Sequence, residues 1–328
     1  MDIAINNNLL WVIGATFAAL TVGTGVRIVA LRKSTADVAR KRIGSLKVWW
    51  TLAILWSIAA VFGIVGTTVL LSVASLLAMR EFLRLVDEPP VIGRAALACL
   101  TLCGAGHYLL IATGHSDVSF WFLPIALLIT TAAIRASTKS PNDYLRITAA
   151  IYWGGMLMVY ALSHALYLFE LDRPTEEPAI MPVVGSVGWF LFVLLITEMN
   201  DIMQAIVGRR LGRHRITPVV SPNKTIEGLI GGMLTSITLA LTLGPWLTTL
   251  TVDRTPIAAA GLLVLTGVLI SLTGFLGDIN MSAIKRDAGV KDGSTLLPGM
   301  GGVIDRIDSL TFTAPAFYYF VLLTRLWD

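Results

Sequence analysis

Long apolar runs separated by short polar ones dominate the chain. They fall at roughly 9–31, 48–79, 91–113, 118–134, 147–169, 179–199, 228–251, 256–277 and 309–325. About 20 apolar residues in a helix match the hydrocarbon thickness of a bilayer, so these runs predict membrane-spanning helices. The run 48–79 is ambiguous, because it is long enough for either one tilted helix or two short ones hinged near Gly63 and Gly66.

The placement of lysine and arginine separates the two readings. With 48–79 folded as a hairpin there are ten spans. Loops 32–47, 80–94, 135–146, 200–227 and 278–308 then share one side and hold 21 of the 25 basic residues. Arg173, Arg254 and Arg325 lie on the other side, and Arg27 sits near the inner end of the first span. The positive-inside rule makes the 21 cytoplasmic and puts both termini outside. With a single span at 48–79, loop 32–47 would fall opposite the other basic loops. The expected fold is therefore an all-α polytopic membrane protein of nine or ten transmembrane helices, ten preferred, with cytoplasmic active-site loops. Residues 1–199 read as a transmembrane scaffold and 200–328 as a catalytic region within the same membrane-embedded unit.

Composition agrees and excludes other classes. Of 328 residues, 55% are hydrophobic and only 14% charged, against about a quarter charged in soluble domains. Disorder, coiled coil and disulfide scaffold are ruled out. The net charge of +4 does not point to nucleic acid, since basic residues in a membrane chain mainly set orientation. The run 9–31 lacks a basic leader and is too long for a signal core, so it reads as a retained span. Cys99 and Cys103 read as small packing residues. His107 and His164, inside spans, read as buried and hydrogen-bonded or packed, and His115 as solvated. Glu81 and Arg84 read as an interfacial pair or face rather than a site.

The chemistry concentrates in two polar segments. In 278–308, Asp305 and Asp308 are three apart and would share a helical face, with Asp278 at the mouth of the preceding span. Clustered carboxylates stay ionised best around a divalent cation, and magnesium suits a few carboxylates plus phosphate oxygens. Lys285, Arg286, Lys291 and Arg306 supply positive charge for phosphates. Gly299, Gly301 and Gly302, after Pro298, allow close backbone approach. In 200–227, Asn200 and Asp201 follow a span ending in Glu198. Ser221 and Pro222 read as an N-cap and first helical residue, with Lys224 and Thr225 in the first turn and Glu227 just beyond. Helix starts of that kind attract phosphate.

The run Ser282-x-x-Lys285-Arg286-x4-Lys291-Asp292-x5-Pro298-Gly299-x-Gly301-Gly302-x-x-Asp305-Arg306-x-Asp308 resembles the signature of the phosphatidate cytidylyltransferases (CDP-diacylglycerol synthases). Asn200, Asp201, Ser221, Pro222, Lys224, Thr225, Glu227 and Gly228 resemble a second stretch of that family. This chain departs from the pattern at Met300, where the family has histidine, and at Met281, where bacterial members often have glutamate. It also has Ile202 where a tyrosine usually follows the aspartate.

The resemblance implies transfer of CMP from CTP to phosphatidate, giving CDP-diacylglycerol and pyrophosphate at the bacterial inner membrane. Asp278 and Asp305 would hold Mg2+, with Asp308 assisting. Asp201 and Glu227 would hold a second cation, monovalent or divalent, or orient nucleotide beside Asn200, Ser221 and Thr225. Lys224, Lys285, Arg286, Lys291 and Arg306 would clamp phosphates. Implied partners are CTP, phosphatidate and the bilayer, with no nucleic acid; monomer and homodimer stay open. Met300 motivates one alternative, a cytidylyltransferase for another lipid phosphate or a weakened paralogue. A transporter or flippase is the alternative of a different class; acids gathered in loops rather than at mid-span argue against it.

Overall fold

A computed structural model describes residues 7–31, 35–86, 90–137, 142–171 and 182–326. Arg32, Lys33, Lys139 and Arg173, which the orientation argument used, lie outside the described residues.

The apolar runs form helices α1 (Asn7–Leu31), α2 (Ala36–Val61), α3 (Gly63–Leu83), α4 (Pro90–Ala112) and α5 (Ser116–Ala136). The sixth run is α6 (Tyr144–Gly155), a π-helical stretch Met156–Ala161, α7 (Leu162–Tyr167) and a closing 3-10 turn Leu168–Glu170. Then come α8 (Val187–Leu211), strands β1 (Arg215–Thr217) and β2 (Ser221–Thr225), α9 (Ile226–Leu247), α10 (Pro256–Asp287), the one-turn α11 (Ile304–Ile307) and α12 (Leu310–Leu326). Among the described residues, nine helical segments are long and apolar enough to cross a membrane. Helix α12, with 17 residues, is at the short end of what a bilayer requires and makes ten. The protein is an all-α polytopic membrane protein.

The 48–79 run is a hairpin. Helices α2 and α3 are joined at Phe62, and Gly63 takes a positive φ of 60° that a β-carbon would disfavour. The free ends of the two arms meet the same distant loop. Gly44 on α2 lies against the Pro298 backbone, where a Cβ would be 3.1 Å from the carbonyl oxygen. Glu81 on α3 accepts from Val303 N at 3.1 Å.

Two predicted boundaries are corrected. Helix α8 runs to Leu211 and α10 to Asp287, so Asn200, Asp201, Asp278, Lys285 and Arg286 are helical rather than in loops. At 1.5 Å per residue the 32 residues of α10 span about 48 Å, well past a hydrocarbon core of about 30 Å. The extensions persist because their polar residues meet each other. Ser221–Pro222 does not start a helix. Residues 221–225 pair antiparallel with β1, and Thr225 is the N-cap, its Oγ1 accepting from Gly228 N at 3.1 Å.

Helix α8 is central. Its first half carries the buried Trp189, Phe190 and Phe192, which share the core with Phe317 and Tyr167. Trp189 and Phe192 contact Phe317 of α12 directly. Further along, Asn200 is fully buried, and its Oδ1 accepts from Ser236 Oγ of α9 at 3.3 Å and Ser271 Oγ of α10 at 2.9 Å. Elsewhere, the buried His107 bonds Ser119 O and Ser163 Oγ, and the buried His164 bonds Tyr160 O through Nδ1 while its Nε2 has no hydrogen-bond partner among the described residues.

Candidate active site

The polar ends of α8 and α10, strand β2 and the segment before α12 converge. Lys224 of β2 projects between α8 and α10, with Nζ 2.5 Å from Asp278 Oδ2 and 3.1 Å from Gln204 Oε1. Asp278 Oδ1 accepts from Ser282 Oγ one turn along at 3.3 Å. Asp201 Oδ2 accepts from Ser309 Oγ at 2.7 Å. Asp308, buried just before α12, bonds the Ser309 amide through Oδ1 at 2.8 Å.

The charges interact as one group. Burial pushes the Asp308 carboxyl well above the ordinary carboxylate range, and the neighbouring charges of Asp278 and Asp201 push it further. Burial alone would lower the Lys224 ammonium, but Asp278 and Asp201 outweigh it and hold Lys224 above its usual value. Arg306 acts electrostatically on Asp201, Asp308 and Glu198.

Several polar atoms on these elements remain unsatisfied, which folded proteins rarely allow without a ligand or water. Asn200 Nδ2, Asp201 Oδ1, Gln204 Nε2, Asn280 Nδ2 and Arg306 Nε are buried without a hydrogen-bond partner. They lie on α8, α10 and α11.

Asp305 does not join the cluster. Its Oδ1 pairs with Lys285 Nζ at 2.5 Å, and its Oδ2 accepts from Gly293 N at 3.1 Å and Gly302 N at 2.8 Å. Asp305 and Asp308 are three apart in helical backbone, but their carboxylates take different partners. Helix α11 is a single turn, and the loop draws Asp305 backwards while Asp308 turns to Ser309. The carboxylates that act on one another electrostatically are Asp201, Asp278 and Asp308. No three His, Cys, Asp or Glu side chains among the described residues form a ready metal cage.

Other predicted residues serve the frame. Asn200 ties three helices, as described, and Thr225 caps α9. Glu227 accepts from Arg213 N at 3.0 Å and from His214 Nδ1 at 2.6 Å, fastening the loop before β1. Arg286 is exposed and donates to Val220 O and Val290 O. Lys291 is exposed and Ser221 half-buried. Met281 is buried. Met300 closes a turn, its N–H bonding Leu297 O at 2.9 Å, with Gly299 and Gly301 at positive φ on either side.

The sequence reading missed Glu81. It is buried and does not pair with Arg84. Its Oε1 accepts from Ser294 Oγ at 2.6 Å and Val303 N at 3.1 Å, and its Oε2 from Ile304 N at 3.0 Å. An acid more than 200 residues from its partners leaves no spacing signal. The only hint was a carboxylate at the end of an apolar run, where an unpartnered one would be costly. Gln204 and Ser309 were missed as well, being ordinary polar residues until α8 and α12 bring them to Lys224 and Asp201.

In this multi-span bundle, the half-buried carboxylate–lysine cluster at one polar end is the candidate site. Residues 41–324 match the model of the cytidylyltransferase family, so the chain belongs to that family of nucleotidyltransferases. It is 38% identical over 276 residues to an uncharacterized protein, YnbB, of Escherichia coli K12, covering 84% of this chain and 86% of that one. The phosphatidate cytidylyltransferase of Bacillus subtilis is 29% identical over 261 residues, covering 78% and 88% of the two chains. That of Haemophilus influenzae is 40% identical over 204 residues, covering 62% and 66%.

Proposed function

We propose that the protein transfers the CMP moiety of CTP to the phosphate of phosphatidate, giving CDP-diacylglycerol and pyrophosphate. The observation that carries this reading is the half-buried Asp201–Lys224–Asp278 group with the buried Asp308, and with Arg306 and Lys285 beside it, at the membrane-surface end of the spans. A water-soluble triphosphate and a bilayer-bound phosphate both reach such a place. A phosphate oxygen of phosphatidate attacks the α-phosphorus of CTP, and the bond from that phosphorus to the β-phosphate oxygen breaks. Catalysis of this kind is mainly positioning and charge stabilisation. Lys224 and Arg306 hold and neutralise phosphate oxygens, Lys285 holds Asp305, and Asn200 keeps α8 and α10 in register around them.

The donor set suits magnesium. Asp201 Oδ1 is a buried carboxylate oxygen lacking a hydrogen-bond partner, and Asp278 and Asp308 interact with Asp201 electrostatically. Asp201, Asp278 and Asp308 would hold the ion, which supplies bridging and neutralisation of the triphosphate. Asp305, engaged with Lys285 and two amides, serves instead to shape the glycine loop. The reading places the protein in a bacterial cytoplasmic membrane with its basic loops and site facing the cytoplasm, where CTP is found. Residues 200–328 then form the catalytic region and 1–199 the scaffold, joined through Glu81.

Met300 favours a second reading, a cytidylyltransferase adapted to another lipid phosphate, because a thioether cannot replace an imidazole donor. Purified protein in liposomes, given magnesium and each of the four nucleoside triphosphates, tests both. Pyrophosphate release with CTP that depends on phosphatidate supports the first. Release with CTP only when another lipid phosphate is supplied, with no gain from Met300→His, supports the second. No release from folded protein under any combination overturns both.

A further inference from the structure

A second basic site lies on α3, apart from the carboxylate cluster. Arg80 and Arg84 are one helical turn apart and share a face. Both are exposed, and neither forms an ion pair among the described residues. With Leu77, Ser294, Thr295 and Leu296 they line a cavity of about 500 Å³. Glu81 lines it too, but its buried carboxylate already accepts bonds from Ser294, Val303 and Ile304. Among the described residues lining the cavity, the charge without an ion pair is therefore positive, and hydroxyls accompany it. Guanidinium groups suit phosphate because they can donate in pairs.

An independent feature specifies the kind of phosphate. A groove of about 180 Å³ runs between α3 and α4, lined by Val73, Leu76, Met79, Leu100, Gly104 and Tyr108 among others. Leu76 lies about 6 Å deeper along α3 than Arg80. One helix thus carries a basic cavity at its polar end and an apolar groove below it, the arrangement that an amphiphilic anion requires.

We infer that the α3 cavity binds the phosphate headgroup of a phospholipid, with an acyl chain laid in the α3–α4 groove. Building on the cytidylyltransferase reading, the bound lipid is either the phosphatidate acceptor or an anionic lipid of the bilayer. Both present the same phosphate chemistry. The cavity also borders the site: its wall includes Gly293, whose N–H holds Asp305.

The test compares wild type with the double variants Arg80→Gln/Arg84→Gln and Arg80→Lys/Arg84→Lys. Native mass spectrometry follows titration of each purified protein with phosphatidate, phosphatidylglycerol or phosphatidylcholine. The glutamine variant is expected to bind phosphatidate about tenfold more weakly, as loss of charge-assisted contacts implies. The lysine variant is expected to fall between it and wild type, keeping the charge but not the paired donation. A loss confined to phosphatidate identifies the acceptor, and the KM for phosphatidate then rises while that for CTP does not. An equal loss for phosphatidylglycerol identifies a bilayer lipid. Undiminished phosphatidate binding by the glutamine variant overturns the site. Because binding is read without turnover, absence of CTP-dependent pyrophosphate release refutes the proposed reaction separately and leaves this measurement decisive.

Discussion

Two carboxylate–ammonium pairs stand within the site, and their surroundings set them different tasks. Lys285–Asp305 is closed, because both Asp305 oxygens are taken up within the loop. Lys224–Asp278 is open to further partners, with Asp201 and Asp308 pressing on it electrostatically. Lys224→Met should therefore leave three acids facing one another without their cation. Breaking a buried pair from one side costs about 3–5 kcal/mol, so a lower unfolding temperature is expected. Pyrophosphate release should fall by about 100-fold or more, the scale of losing one well-placed charge. Activity within a few-fold of wild type would show that Lys224 is only structural. Glu81 acts at longer range. Glu81→Gln keeps the size but loses the charge that three donors address, and each such bond is worth about 1.5–3 kcal/mol. The variant should fold, with kcat reduced about tenfold or more and the KM for CTP little changed, since Glu81 positions the loop and touches no nucleotide group. Gly302→Ala attacks the same contact from the other side, because its Cβ would run into the Glu81 carboxylate. Steady-state kinetics on both variants checks this, and equal KM and kcat to wild type would dismiss the role.

At the scale of elements, the hydrophobic pattern made the spans legible, and the basic loops made the α2–α3 hinge legible. What the pattern could not show were the ends of α8 and α10. Hydropathy stops at the bilayer surface, whereas these helices continue for as long as Gln204, Asp278 and Lys285 find partners across the gap. The same limit hid β2. Ser221-Pro222 has the local chemistry of a helix start, yet pairing with β1 holds it extended and moves the cap to Thr225. The site residues were mostly legible by type, but their grouping was not, because Asp305 and Asp308 part company within one turn. Asn200 shows how a residue read as nucleotide-binding serves as an inter-helix tie. Asn200→Leu removes its bonds to Ser236 and Ser271, and such bonds within membranes are worth about 0.6 to 1.7 kcal/mol each. A loss of about 1–2 kcal/mol is expected in detergent-induced unfolding. An unchanged midpoint would mean that packing alone holds α8 between α9 and α10.

For the whole molecule, contacts at opposite ends of the bundle fix the alternation of the spans. At one end Asn8 bonds Val183 O, Val183 N bonds Trp246 O, and Arg325 bonds Leu171 O. At the other, Gly44 meets Pro298, Glu81 meets Ser294, and Lys224 meets Asp278. The helical segments run between the two sets, so Asn7 at the start of α1 and Leu326 at the end of α12 lie at the end away from the active site. The proposed cytoplasmic orientation of the site end rests on charge: Arg209, Arg210, Arg213, Arg215, Arg286 and Lys291 are all exposed there. Single cysteines read this directly. In a Cys99→Ala/Cys103→Ala background, Arg213→Cys should react with an impermeant maleimide only in inside-out vesicles. Asp253→Cys, exposed in the turn between α9 and α10, should react only from the opposite side. Labelling of both from one side would break the alternation across α9 and with it the ten-span arrangement. A fully reversed pattern would keep the fold but turn the site away from cytoplasmic CTP, and the proposed reaction could not stand.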